Sequence, residues 1–181
     1  MSIPEFLSSL EASSVANRIR ESLYLFPLIE STHVIGLTLV FGTIAIIDLR
    51  LLGIASVRRP FTRVAADILK WTWAAFALTV TTGALMFITN ASVYYQNFFF
   101  RSKMILLVLA GINMLMFELT AGRSIRHWDK DHAAPLAGKT VAAASLALWI
   151  AIIFLGRWVG FTSTRAQVAP DLDINLEDIL K

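Results

Sequence analysis

The sequence predicts an all-α integral membrane protein: an antiparallel four-transmembrane-helix bundle with an N-terminal interfacial amphipathic helix. The 181 residues are 56% hydrophobic and only 16% charged, and their mean hydropathy is +0.66. Soluble domains carry about 25% charged residues. The chain also contains four apolar runs, each close to the ~20 residues with which a helix crosses a bilayer. The first run, Ser31–Ile47, holds no fully charged side chain.

The first 22 residues are too polar to span a membrane. Their apolar side chains recur at helical spacing, which is typical of an amphipathic helix lying in the interface: Ile3, Phe6, Leu7, Leu10, Val15, Ile19 and Leu23. No basic segment with an apolar core and a small-residue cleavage site is recognised, so we expect no signal peptide. The predicted domains are residues 1–22, the four-helix transmembrane domain 23–161 and a polar C-terminal tail 162–181.

The four spans are predicted from the apolar runs, the first of them entered at Pro27. They cover Leu28–Ile54, Ile68–Thr89, Lys103–Thr120 and Leu136–Trp158. The connections are a short basic segment, an aromatic loop or interfacial helix, and a polar turn: Val57–Arg63, Asn90–Arg101 and Arg123–Ala134. Nine of the sixteen Lys and Arg residues lie in or beside the first and third connections. Because cytoplasmic loops are enriched in these residues, we expect both termini on the outer side.

Composition excludes several classes of function. The chain has no cysteine, which excludes disulfides, thiolate metal sites, iron–sulfur clusters and covalently attached c-type haem. The isoelectric point near 9.5 does not indicate nucleic acid as a partner, because the basic residues flank the apolar runs and act as topology anchors.

His33 is the first candidate functional residue, because ionisable groups inside a span are costly. It lies about one turn inside the outer boundary, and Met86 and Met104 are expected at a similar depth. Histidine and methionine ligate b-type haem or copper, so His33 is also the candidate metal ligand. The alternative is a hydrogen bond from His33 to a neighbouring helix or to a ligand of quinone size. The other histidines, His127 and His132, fall in the opposite loop.

Two charged residues extend this site. Glu30 precedes His33 by three residues and shares its helix face, and Arg157 ends the fourth span at the same level. The pair is predicted either to tie the two spans together or to bind a quinone or carboxylate head group, with aromatic residues 94–100 covering the opening. The candidate binding site for haem b, a quinone or a lipid head group is therefore Glu30, His33, Met86, Met104 and Arg157.

A second polar group is expected at the inner ends of the spans. Asp48 and Arg50 end the first span, and Glu118 lies near the inner end of the third, with Asn113 about one turn deeper. A carboxylate facing an arginine in lipid is explained by an ion pair that locks helix packing. The sequence therefore predicts a structural ion cluster of Asp48, Arg50 and Glu118. A proton entry path or an ionic ligand site is the alternative.

Several segments resemble an uncharacterised bacterial family of small four-helix membrane proteins. They are HVIGLTLVFGTIAIIDLRLLG, TTGALMF, NFFFRSKMILLVLAGINMLMFE, RHWD and LGRWVGF. The resemblance extends from Ser22 to Phe161 and implies a small four-helix membrane protein. With the orientation expected from the Lys and Arg residues, we predict a multi-pass protein of the bacterial inner membrane with both termini periplasmic. Membrane cytochromes b and CopD-like copper-resistance proteins are more remotely similar. Relatives often carry a histidine where this chain has Glu118 after Phe117, and this departure counts against haem held by two histidines.

Three functions remain open on the sequence alone. The first is a redox membrane subunit that binds haem b or a quinone near His33. The second is a non-catalytic anchor or scaffold that docks partner proteins. The third is a small transporter or metal-handling protein, which requires a polar path from His33 to the cluster of Asp48 and Glu118. The expected partners are membrane lipids and either other membrane or periplasmic subunits or further copies of the chain.

Overall fold

The computed structural model describes residues 2–56, 58–120, 122–129 and 134–168, without the side chains of residues 124, 126, 127 and 164–168. The described ranges are helical and contain no strand. The α-helices are α1 (Ile3–Glu11), α2 (Ser14–Glu21), α3 (Leu25–Leu52), α4 (Phe61–Thr89), α5 (Ala91–Gln96), α6 (Phe98–Leu119), α7 (Ile125–Trp128) and α8 (Leu136–Val168), and a 3-10 turn covers Gly122–Ser124.

Four of these helices are long and apolar enough to cross a membrane: α3, α4, α6 and the Leu136–Ser163 part of α8. The prediction of a multi-pass membrane protein is thereby confirmed. The boundaries differ from the expected ones, because α4 begins at Phe61 rather than Ile68 and α6 begins at Phe98 rather than Lys103. The first residues of the predicted tail continue α8 as far as Val168, and residues 169–181 lie outside the described ranges.

The early start of α4 has a tertiary cause. Asp129 Oδ1 accepts a hydrogen bond from the backbone N–H of Thr62 at 3.1 Å, and Oδ2 accepts one from the Thr62 hydroxyl at 2.6 Å. The carboxylate thus satisfies N–H groups that the first turn of a helix leaves unpaired. Partial burial alone would raise the pKa of Asp129, but the bonds from Thr62 and Phe61 and the charge of Arg50 hold it below its usual value.

The long helices pack in a fixed order. α3 packs against both α4 and α8, and α8 also packs against α6. Gly36 lies against Thr79 and the Asn113 amide donates to the Val141 carbonyl at 3.0 Å, contacts that fit antiparallel neighbours. A shared apolar core lies at mid-length, formed by Val40, Ala75, Trp149 and Ile152. We call the two ends of the helices the Arg50 end (around residues 48–62 and 129) and the His33 end (around residues 20–33 and 82–103).

The N-terminal segment forms two helices, so the expectation of one continuous helix over residues 1–22 is wrong. Ser13 breaks the segment, because its side chain accepts from the Ala16 N–H and starts α2. Both helices dock at the His33 end. Arg20 Nη1 donates to the Thr89 carbonyl at 2.9 Å, and Glu11 Oε1 accepts from the Ser92 N–H at 2.7 Å.

Candidate functional site

His33 is positioned by α4. Its Nδ1 lies 3.0 Å from the hydroxyl of Thr82, and that hydroxyl is 2.8 Å from the Leu78 carbonyl. When the hydroxyl donates its one hydrogen to the carbonyl, the imidazole donates from Nδ1, in the tautomer whose Nε2 is an acceptor. Gly83 provides the space for the ring, since a Cβ atom there would lie 3.1 Å from His33 Cε1.

A lysine from α6 lies at the same end of the bundle. Lys103 is partly buried, and its chain runs along Gly156 of α8, where a Cβ atom would stand 3.7 Å from Nζ. The charge of Lys103 acts on His33. Each of the four long helices contributes one residue to a group that we call the His33 cluster. Its members are His33 of α3, Thr82 of α4, Lys103 of α6 and Gly156 of α8.

Aromatic rings lie beside this cluster at the His33 end. Phe87 stacks on Phe100 with the ring centroids 5.5 Å apart, and Tyr94 packs against Phe100 at 5.7 Å. Burial raises the pKa of Tyr94, and the negative charge of Glu30 raises it further. Tyr94 and Phe100 belong to the aromatic segment expected to cover the site.

The electrostatics of the His33 cluster oppose a bound metal ion. The positive charge of Lys103 acts on the imidazole and repels a cation. Among the described residues no group of three or more His, Cys, Asp or Glu side chains is arranged to hold a metal ion. The side chain of His127 and all of His132 lie outside the described part.

Residues 22–162 match a family of unknown function, DUF6644. The chain belongs to this family. The matched DUF6644 region contains the whole His33 cluster and the Asp129 cap, and it begins immediately after α2. No curated protein matches the chain, and no solved structure does. The expectation of an uncharacterised family is therefore confirmed. The more remote similarity to membrane cytochromes b or CopD-like proteins is not shown by these comparisons.

The remaining predicted site residues of this DUF6644 chain are dispersed around the cluster. Glu30 is exposed, as are Met104 and Arg157, while Met86 is partly buried. The Arg157 guanidinium lies over the ring of Phe161, 4.5 Å from its centroid. The contacts of the described residues include no Glu30–Arg157 ion pair. Of the five residues proposed from sequence, the structure brings His33 alone into the cluster.

Thr82 and Lys103 were not predicted from the sequence as site residues. Thr82 is polar but unremarkable among the threonines of α4. Lys103 stands at the edge of an apolar run, where the sequence predicts only a span boundary. A usable signal was the apolar segment FFF that precedes Arg101, because it shows that the helix begins before Lys103 and carries the lysine inside it.

The predicted ion cluster at the Arg50 end of this DUF6644 chain is divided. Asp48 is buried and hydrogen-bonded by Ser145 of α8. Arg50 is fully buried, and its Nε donates to the Arg59 carbonyl at 2.9 Å. Glu118 is exposed, and no Arg50–Glu118 pair is found among the contacts of the described residues. The structure instead brings Arg50 near the Asp129 cap.

Proposed function

We propose that this DUF6644 protein is a small membrane subunit that binds the head group of a quinone at the His33 cluster. The observation that carries the proposal is an imidazole bonded to Thr82 on which the ammonium charge of Lys103, from another helix, acts. Lys103 offers N–H donors to a quinone carbonyl oxygen, and His33 Nε2 accepts from the hydroxyl of the reduced form. Apolar and aromatic walls around a few convergent polar groups are the usual surroundings of such a site.

Haem b is the less favoured cofactor within the same proposal. An axial histidine commonly donates its other ring nitrogen to an acceptor, and the His33–Thr82 bond is compatible with that arrangement. The ammonium charge of Lys103 is not compatible with it, because that charge disfavours the positively charged haem iron at the imidazole. The resemblance to membrane cytochromes b is therefore used to propose a redox function, and not a haem site.

The proposed setting is the bacterial inner membrane. The four spanning helices would form an antiparallel bundle with both termini periplasmic, and α1 and α2 would lie in the outer interface. The exposed basic residues Arg58, Arg59 and Arg63 at the Arg50 end support this orientation. Ile3 and Phe6 of α1 are 58% and 51% exposed, which supports an interfacial position. The quinone site would then lie near the periplasmic side, within reach of membrane or periplasmic partner subunits or another copy.

A non-catalytic anchor is the second candidate. It is favoured by the close packing of the His33 ring against Thr82 and Gly83, which resembles an ordinary helix contact. Two surface grooves, one between α6 and α8 and one between α3 and α4, lie away from His33. A transporter is disfavoured, because the apolar side chains of Val40, Trp149 and Ile152 occupy the core between the two ends.

The test is a titration of the purified, detergent-solubilised protein with a short-chain ubiquinone analogue, followed by tryptophan fluorescence. Lys103→Met should weaken binding by roughly 10- to 150-fold, the range for a lost hydrogen bond to a charged group. Arg101→Met removes an exposed cation two residues away and should leave binding unchanged. Thr82→Val should weaken binding, and Thr82→Ser should preserve it.

Each outcome of this titration decides between the candidates. If the wild-type protein does not bind the analogue, or Lys103→Met binds it equally well, the anchor function replaces the quinone site. A Soret band in the purified protein that is lost in His33→Ala would instead establish haem. Thermal unfolding is measured in parallel, because removal of a partly buried charge should not by itself destabilise the fold.

A further inference from the structure

An apolar groove of about 360 Å³ runs along the surface between α3 and α4. Its walls include Leu39 and Thr43 of α3 and Ile68, Trp71, Ala74 and Leu78 of α4. The Thr43 hydroxyl donates to backbone carbonyls of its own helix and leaves the groove without a free polar group on that side. The apolar lining of the groove is therefore suited to binding a hydrocarbon chain.

The length of the groove matches one leaflet of a bilayer. Ile68 and Leu78 are ten residues apart on α4, which corresponds to about 15 Å at the rise of an α-helix. Half of the ~30 Å hydrocarbon core is also ~15 Å. Trp71, which is 65% exposed, lies toward the Arg50 end of the groove, as expected of an aromatic side chain near the interface.

The end of the groove nearest the Arg50 end is basic. Residues 58–70, all described, contain Arg58, Arg59, Arg63 and Lys70 against the single carboxylate of Asp67. Asp67 lies one turn from Trp71, and its Oδ2 is 3.9 Å from an Arg59 nitrogen, with both side chains about 60% exposed (59% and 62%). An exposed pair at this distance is weak, so Arg59 remains available to a stronger anion.

We propose that the groove binds one acyl chain of an anionic phospholipid whose phosphate is held by Arg59, Arg63 and Lys70. The basic residues give the charge complementarity, and the groove gives the length and the apolar lining. Basic pockets beside spanning helices are a recognised means of selecting anionic head groups. The lipid site lies away from the His33 cluster and does not depend on the proposed quinone function.

The test is native mass spectrometry of the delipidated protein titrated with phosphatidylglycerol or phosphatidylcholine of identical chains. Phosphatidylglycerol should bind at least tenfold more tightly. The double variant Arg59→Gln/Lys70→Gln should weaken its binding about thirtyfold, since each basic residue near an anionic surface is worth roughly fivefold. Arg18→Gln/Arg101→Gln removes two exposed cations at the His33 end and should have no effect.

A groove-filling variant separates a seated lipid from simple surface attraction. Ala74→Phe places a ring in the groove at an exposed position and should weaken the binding of both lipids. Ala77→Phe, an exposed position on another face of α4, is the matched control. If Ala74→Phe binds lipid as Ala77→Phe does, or the wild type shows no preference, the proposal is overturned. It is also overturned if Ala74→Phe abolishes a protein dimer without altering lipid binding, because a second copy then occupies the groove.

Discussion

Replacing Asp129 with alanine removes the carboxylate that caps α4. The variant loses the bonds from the Thr62 N–H and hydroxyl, at 3.1 and 2.6 Å. A lost capping side chain costs about 1 kcal/mol, and a lost negative charge at a helix N-terminus costs roughly 0.3–1 kcal/mol more. The free energy of unfolding should therefore fall by about 1.3–2 kcal/mol, which lowers Tm by about 3–8 °C for a domain of this size.

The assay is thermal unfolding in detergent, followed by tryptophan fluorescence. Trp128 precedes the cap and packs on Phe61 with ring centroids 5.4 Å apart, so its emission reports this end of α4. Asp67→Ala is the control, because it removes an exposed carboxylate that belongs to α4 itself and whose ion pair with Arg59 is loose at 3.9 Å. Exposed pairs contribute little, and the control should shift Tm by less than about 2 °C.

The pH dependence provides a second check on Asp129. Its pKa in the folded protein is lowered, so its stabilising effect is complete above the unfolded value of about 3.9. That effect is lost as the pH falls through the lower folded value. The Tm difference between wild type and Asp129→Ala should be constant from pH 7 to about pH 5 and then shrink in acid. Equal Tm values for Asp129→Ala and Asp67→Ala at neutral pH would refute the capping argument.

Two further predictions concern packing and topology. Gly36→Ala places a Cβ atom 2.6 Å from the Thr79 hydroxyl and should lower Tm by separating α3 from α4. Gly42→Ala is the control, because its Cβ atom meets no other atom within 4 Å and Tm should not change. Equal Tm values for the two variants would show that the Thr79 side chain moves aside without cost. Because the chain has no cysteine, Ser9→Cys and Ser56→Cys, both exposed, can be labelled singly in intact cells and should react from opposite sides. Reaction from the same side would contradict the proposed orientation.

The apolar runs were sufficient to predict the four spans, because lipid requires long stretches without charge and few other structures tolerate them. They could not predict where the helices begin. α4 starts seven residues before the expected Ile68, since its first turn depends on Asp129, a residue distant in sequence. The break at Ser13 was likewise hidden by apolar spacing that continued across it.

The candidate site was predictable only in part. His33 stood out as an ionisable group inside a span, and it does belong to the polar cluster. Met86, Met104 and Arg157 were chosen as its companions by depth, which does not fix the direction of a side chain around a helix. Arg157 thus lies over Phe161, and Lys103 fills the space beside Gly156. Because Gly156 and Gly83 have no side chains, they leave the space that Lys103 and His33 occupy. These glycines therefore matter to the site as much as the charged groups do.

The attachment of the N-terminal helices has a consequence for biosynthesis. Arg20 bonds to the carbonyl of Thr89, 69 residues later, and Glu11 bonds to the N–H of Ser92, 81 residues later. At about 5–20 residues per second, Thr89 is made roughly 3–14 s after Arg20. During that interval the guanidinium has no Thr89 carbonyl to bind, so α1 and α2 wait at the membrane surface until α4 has been inserted. A nascent chain arrested within α4 should therefore leave both helices sensitive to protease, and docking should mark the point at which the first helical hairpin is complete.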